Sequence, residues 1–188
     1  APFNENSGAE SKTRLRAKLW SVDGVELFRF FRDSTRKEDC AFVLDGAART
    51  GPGPTFWCLP LDSVNHDATG ALALFADGAC QQPLALAPVS GAASYVIERG
   101  LHACVTHPRV FRALPVEQGR PWFFDGETCR RSDGTLPLQG LGEEIPIGEF
   151  VSAVETPVPL TGPIARLDLV ANDGARQTIG GFDPGRFM

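Results

Sequence analysis

The stretch Phe75-Ala76-Asp77-Gly78-Ala79-Cys80 decides the fold, because weaker copies of it recur along the chain. An aromatic residue leading into Asp-Gly is typical of a strand with a buried face that enters a tight turn, since both turn residues tolerate positive φ. This aromatic–aspartate box therefore predicts β-hairpins, and it is a turn signal before it is a site. The copies are Trp122-Phe123-Phe124-Asp125-Gly126-Glu127-Thr128-Cys129, Phe30-Phe31-Arg32-Asp33 with Cys40 further on, and Gly181-Phe182-Asp183.

Composition supports a globular, strand-rich protein. The 188 residues are 43% hydrophobic and include 13 Phe, which supplies a core and excludes a disordered chain. With 20 Gly and 15 Pro the chain is rich in turn residues. The net charge of -5, with scattered basic residues, does not favour nucleic acid as a partner. The sequence has no apolar run long enough to predict a membrane span.

The two ends of the chain resemble each other. Residues 14–22 alternate basic with apolar side chains up to Asp23-Gly24, and residues 166–170 lead in the same way to Asp173-Gly174. The box aspartates are separated by 44, 48 and 58 residues, close to the length of one propeller blade. The pattern predicts an all-β fold of imperfect hairpin repeats, with a small β-propeller of about five blades closed by its termini as one arrangement. A β-sandwich or an open barrel is the alternative.

Domain boundaries follow from polarity and periodicity. Residues 1–12 are polar and lack any periodicity, so we expect a flexible leader there. Residues 13–188 are expected to form a single all-β repeat domain.

The five cysteines are spaced almost evenly, at gaps of 18, 22, 24 and 25 residues. This places about one cysteine in each hairpin, which favours disulfides between neighbouring hairpins and an oxidising compartment. We expect Cys40, Cys58, Cys80 and Cys104 to form bridges, with Cys129 left over. A bridge between Cys40 and Cys58 would flank one hairpin.

Four features together suggest a relationship to known proteins. They are the Arg-Leu strand, the Asp-Gly turn, the aromatic–aspartate box with its cysteine, and Trp57-Cys58-Leu59-Pro60. In this combination the chain resembles a loose group of secreted bacterial β-repeat proteins of unassigned function. The resemblance implies a protein exported to the exterior, the periplasm or the cell envelope, and it implies no catalytic residues.

One local cluster could bind a metal ion. On a strand His102 and Cys104 would share a face, and His107 could fold back to give three ligands with an open position, as catalytic zinc prefers. A metal-assisted hydrolase, or a Cys104 thiolate activated by histidine, is therefore one hypothesis. The alternative places Cys104 in a disulfide and both histidines in solvent.

Carboxylates suggest a second kind of chemistry. The pair Glu143-Glu144 and the box aspartates are compatible with glycoside hydrolysis, which uses two carboxyl groups. Turn formation explains the Asp-Gly aspartates without any substrate, so we do not assign them catalysis.

Trp57, Trp20 and Trp122 are the candidate ligand platforms, because an indole ring stacks on apolar faces and keeps a donor at its edge. We expect Trp57 to be the most exposed and Trp122 to lie in the core.

The sequence predicts a secreted or envelope-associated, non-catalytic binding module with a glycan or protein ligand and no cofactor. A structural or assembly protein, in which residues 14–18 pair with a partner strand, is a further alternative. The oligomeric state does not follow from the sequence.

Overall fold

The computed structural model describes residues 13–45, 55–67, 73–99, 107–125, 127–159 and 165–182. Apart from the 3-10 turn Ile147–Glu149, the regular elements in these ranges are strands, which confirms the all-β class. No helix in these ranges is long and apolar enough to cross a membrane. The strands are β1 (Leu15–Val22), β2 (Val25–Asp33), β3 (Glu38–Leu44), β4 (Thr55–Pro60), β5 (Ser63–Asp67), β6 (Leu74–Phe75), β7 (Pro83–Leu86), β8 (Tyr95–Arg99), β9 (Arg109–Gly119), β10 (Trp122–Phe124), β11 (Cys129–Arg131), β12 (Leu136–Ile145), β13 (Ser152–Pro159), β14 (Ala165–Ala171) and β15 (Arg176–Phe182).

The strands form two sheets. A seven-stranded sheet has the order β1-β2-β3-β4-β13-β14-β15, and an eight-stranded sheet has the order β11-β10-β6-β7-β12-β9-β8-β5. Each sheet curls as a half-barrel, so the described strands do not form the four-stranded blades of a propeller, and the alternative of a sandwich or open barrel fits them better. The physical reason is that strands carrying separate boxes pair directly with each other: Trp122 lies opposite Phe75 in one sheet.

The chain divides into two compact units, one for each sheet. The first contains the described parts of residues 1–44, 51–61 and 150–188, and the second contains those of residues 45–50 and 62–149. The sequence predicts a single all-β domain over residues 13–188, and the domain count stays a prediction. The predicted leader, residues 1–12, lies outside the described residues.

The core of the first unit lies on the inner face of its sheet. Leu15, Phe31 and Leu169 are each at most 2% exposed, and they pack with the bridged cysteines Cys40 and Cys58. These five residues come from five different strands, so burial of apolar side chains holds the early and late parts of the chain together.

The first hairpin follows from its turn sequence. Asp23 and Gly24 have φ of 51° and 82°, the left-handed conformation that a two-residue hairpin turn requires, and Val22 pairs with Val25. Further along, Arg29 is an extra residue in β2. The other terminal hairpin has an extra residue, Ile179, at the same separation from its turn aspartate. Bulges of this kind increase the local twist.

The ends of the first unit are joined by a side chain. The backbone N–H of Leu15 donates to Oδ2 of Asp173 at 2.7 Å, while Oδ1 of Asp173 accepts the N–H of Ala175 at 2.9 Å. Asp173 therefore closes its own turn and also binds the start of β1, an edge strand of the same sheet.

The centre of the second unit is the pair β9 and β12, whose register shifts twice. Gly142 lies where a Cβ atom would be 2.8 Å from the carbonyl oxygen of Arg112, so only glycine fits there without a backbone shift. Nearby, buried Gln139 donates to the carbonyls of Ala93 and Leu114 and accepts the N–H of Ala93. These contacts fix the surface described next.

Candidate functional site

Asp77, the aspartate of the aromatic–aspartate box at residues 75–80, caps the turn that follows it. The Asp77 carboxylate accepts the backbone N–H groups of Ala79 at 2.8 Å, Gln81 at 3.1 Å and Gln82 at 2.6 Å. Desolvation alone would raise the pKa of Asp77, but these hydrogen bonds outweigh it and hold the pKa below its ordinary value. The residue is a turn-forming group, as the sequence predicts.

Two other box aspartates do the same work. Asp125 accepts the N–H groups of Thr128 and Glu127, and these bonds lower its pKa. Asp33 accepts the N–H groups of Thr35 at 2.9 Å and Arg36 at 3.1 Å. These carboxylates are used by the turns.

Asp33 has an additional charged partner. The Arg14 Nε donates to both carboxylate oxygens, at 2.9 and 3.0 Å, and Nη2 lies 2.7 Å from Oδ2. Burial would raise the pKa of Asp33, yet the bonds from Arg14 and from the turn lower it overall. The first arginine of the chain therefore anchors the start of β1 to the end of β2.

The two best boxes are cross-linked to each other. Cys80 is bridged to Cys129, so the expectation that Cys129 is left over is wrong. Even spacing along the chain favours sequential pairing, whereas the sheet places β6 beside β10. The ring of Trp122 also lies against Gly78, where a Cβ atom would be 3.2 Å from it.

The other predicted bridge is present. Cys40 and Cys58 are joined, and they lie on the adjacent strands β3 and β4. Cys104, the fourth cysteine expected in a bridge, lies outside the described residues.

The three tryptophans differ in their exposure to solvent. Trp20 is the most exposed, at 54%, whereas Trp57 and Trp122 are partly buried. The expectation that Trp57 is the most exposed is therefore wrong. The reason is that Trp57 lies on β4, a central strand between β3 and β13, whereas Trp20 lies on edge strand β1.

The proposed metal cluster is described only in part. His102 and Cys104 lie outside the described residues, and the imidazole Nδ1 of His107 is 2.5 Å from Oδ2 of buried Asp45. No group of three metal-ligating side chains occurs in the ranges that the structure describes. His107 thus has a carboxylate partner that local sequence could not indicate.

The acidic dipeptide also has a structural partner. Glu144 Oε2 lies 2.5 Å from Nη2 of Arg109, and this bond outweighs desolvation and lowers the pKa of Glu144. A general acid needs a raised pKa, so the direction is opposite to the one that a general acid in glycoside hydrolysis requires.

The second unit contains a groove of about 670 Å³ on the side of β7, β12, β9 and β8. This volume lies in the range of small-molecule sites. Its apolar lining comes from Leu84, Phe111, Leu114, Leu138 and Leu141, and its polar lining comes from Gln81, Gln82, Gln118, Glu98, Glu117, Arg109 and Arg120.

The charges of the groove are balanced, and both of its arginines are already engaged. Arg109 binds Glu98 at 2.9 Å as well as Glu144, and these partners, led by Glu144, raise its pKa. Arg120 donates to the carbonyl of Ser132 at 3.0 Å. The guanidinium groups are thus held by the protein, while the glutamines at the rim are exposed.

Sequence reasoning missed this groove because its residues come from distant segments. The one local signal is Gln81-Gln82 directly after the best box, where turn capping by Asp77 fixes both backbone amides.

No family model, curated protein or solved structure matches this chain.

Proposed function

We propose that the protein is an exported, non-catalytic binding module that holds a neutral polar ligand of glycan type in the groove of the second unit. The observation that carries this proposal is the groove itself, which combines an apolar floor with amide side chains at its rim. Such a mixture suits a sugar, whose faces are partly apolar and whose edges carry hydroxyl groups.

The charge of the groove supports a neutral ligand. Two glutamates and two arginines line it, and the arginines already bind protein acceptors. An anionic ligand would have to replace those bonds, whereas hydroxyl groups can bind the exposed amides of Gln82 and Gln118 without displacing them.

Export is supported by the two disulfides, since such bridges persist in oxidising compartments.

The test is affinity electrophoresis through gels containing neutral polysaccharides, with Gln82→Ala and Gln118→Ala beside the unaltered protein. We expect retardation by at least one polysaccharide and a loss of most of it in both variants. Gln177→Ala on β15, a partly buried glutamine in the other unit, is the control outside the groove and should behave as the unaltered protein does. Retardation that the groove variants leave unchanged, or none by any neutral glycan, would overturn the proposal.

Assembly through β1 is the second candidate, favoured by the position of β1 at a sheet edge. Charged residues such as Arg16 on an edge strand usually oppose edge pairing, which is why we place this candidate second. Sedimentation velocity over a range of concentrations, with Arg16→Glu as the variant, tests it. Arg14 is unsuitable because it binds Asp33.

A further inference from the structure

The outward face of the β1–β2 hairpin exposes a continuous apolar surface. Trp20 lies opposite Leu27, and Val22 lies opposite Val25, so the four side chains share one face of two paired strands. Their exposed fractions are 54%, 49%, 40% and 58%. Single exposed apolar residues are common, but a cluster of this kind on a folded protein usually marks an interaction surface.

Basic residues continue the same face away from the turn. Lys18 lies opposite Phe30, and Arg16 lies opposite Arg32. Since side chains alternate between the two faces of a strand, these groups point to the same side as Trp20. Arg32 also binds Asp39 of β3, at 3.0 Å.

The acidic groups of the hairpin lie elsewhere. Asp33 pairs with Leu15 and Glu26 pairs with Ser21, which puts both on the opposite face, and Asp23 is in the turn. The outward face of this fully described hairpin therefore carries basic and apolar side chains without an acidic one. This contrasts with the net charge of -5 for the whole chain.

We propose that the outward face of the β1–β2 hairpin docks on the surface of an anionic lipid bilayer. The apolar side chains enter the boundary between headgroups and acyl chains, where interfacial elements are buried by about 5–10 Å, and tryptophan is favoured at this depth. Arg16 and Lys18 remain at the level of the headgroup phosphates, which attract them.

The composition of the face favours a bilayer over a polysaccharide. Val22, Val25 and Leu27 have no hydrogen-bonding group in their side chains, so hydroxyl-rich sugars gain little from them. Burial of all three side chains at the hydrocarbon boundary of a bilayer is favourable, because it removes apolar surface from water. This surface lies in the first unit and is independent of the groove, so the proposal goes beyond the proposed function.

The test is sedimentation of the full chain with vesicles of phosphatidylcholine alone and of phosphatidylcholine mixed with phosphatidylglycerol. We expect binding to the mixed vesicles, weakened by salt, with a blue shift of tryptophan emission that Trp20→Phe removes. Arg16→Glu should weaken binding by about tenfold or more, because each basic residue at such a surface contributes about fivefold. Leu27→Ser should also weaken it.

Two matched variants control for general effects. Arg176→Glu reverses an exposed charge on β15, and Val154→Ser removes an apolar side chain that is 49% exposed, as Leu27 is. Both should bind as the unaltered protein does, and circular dichroism confirms the fold of each variant. No binding to the mixed vesicles, equal binding by all variants, or binding only to acidic polysaccharide or to an acidic protein would overturn the proposal.

Discussion

Cys80 and Cys129 are joined by a disulfide. The aromatic residues that begin their two boxes, Phe75 and Trp122, lie opposite each other on β6 and β10. Two copies of one sequence motif thus pair and are cross-linked. The strands involved have only two and three residues, so backbone hydrogen bonds alone hold them weakly. The bridge therefore secures a part of the sheet that would otherwise separate easily.

Replacing both Cys80 and Cys129 by Ser should lower the free energy of unfolding by about 3–4 kcal/mol, because the bridge closes a long loop in the unfolded chain. The loop spans a sequence separation of 49. Urea denaturation of the oxidised proteins measures the change. An unaltered midpoint and slope would contradict this expectation.

Alkylation of the native protein without reductant should modify no more than one cysteine, since four are bridged. Intact mass measures the number of labels, and reduction before labelling should raise it to five. Two or more labels before reduction would show that a bridge is missing.

Asp33 should make stability depend on pH in the acidic range. Its folded pKa lies below the ordinary value of 3.8, so its contribution is complete above that value and is lost as the pH falls through the folded pKa. Asp33→Asn should cost about 2–4 kcal/mol at neutral pH and should flatten the loss of stability on acidification. Thermal unfolding of both proteins from neutral to acidic pH measures the loss of stability and its dependence on pH. A parallel pH profile for the variant would contradict the assignment.

Gly142→Ala should destabilise the protein by about 1–3 kcal/mol, because the new methyl group would contact the carbonyl oxygen of Arg112. Gly134→Ala is the matched control: a Cβ there has no atom within 4 Å. Urea denaturation compares the two. Equal urea midpoints for the two variants would contradict this prediction, because they would show that β12 accommodates the methyl group without loss of stability.

Asp77→Ala should speed hydrogen exchange at the amides of Ala79, Gln81 and Gln82, which lose their acceptor. Amides on β14, such as that of Leu169, serve as the internal reference. Unchanged exchange at the three turn amides would mean that another group caps the turn.

Local chemistry was predictable from the sequence, and long-range pairing was not. Asp23-Gly24 identifies its hairpin because positive φ at both positions is required locally. The separation between box aspartates suggested blades, yet the boxes around Asp77 and Asp125 belong to one sheet. Sequence spacing measures distance along the chain, and it does not reveal which strands meet.

The candidate groove could not be predicted from the sequence for the same reason. Gln82 precedes β7 and Gln118 lies near the end of β9, and no local sequence pattern connects these two groove residues. The opposite holds for Trp20: alternation in residues 14–22 reveals its basic neighbours and places it on the face opposite to that of buried Leu15.

The hydrogen bond from Leu15 to Asp173 has a consequence for synthesis of the chain on the ribosome. All described strands of the second unit lie between residues 63 and 145, so they emerge before β13, β14 and β15. Until those last strands are made, the Leu15 amide lacks its acceptor and β4 lacks its neighbour β13. Among the described strands, the earliest to be translated are therefore the last to have a complete sheet. A nascent chain halted before Asp173 would leave that sheet incomplete, with exposed surface that chaperones recognise.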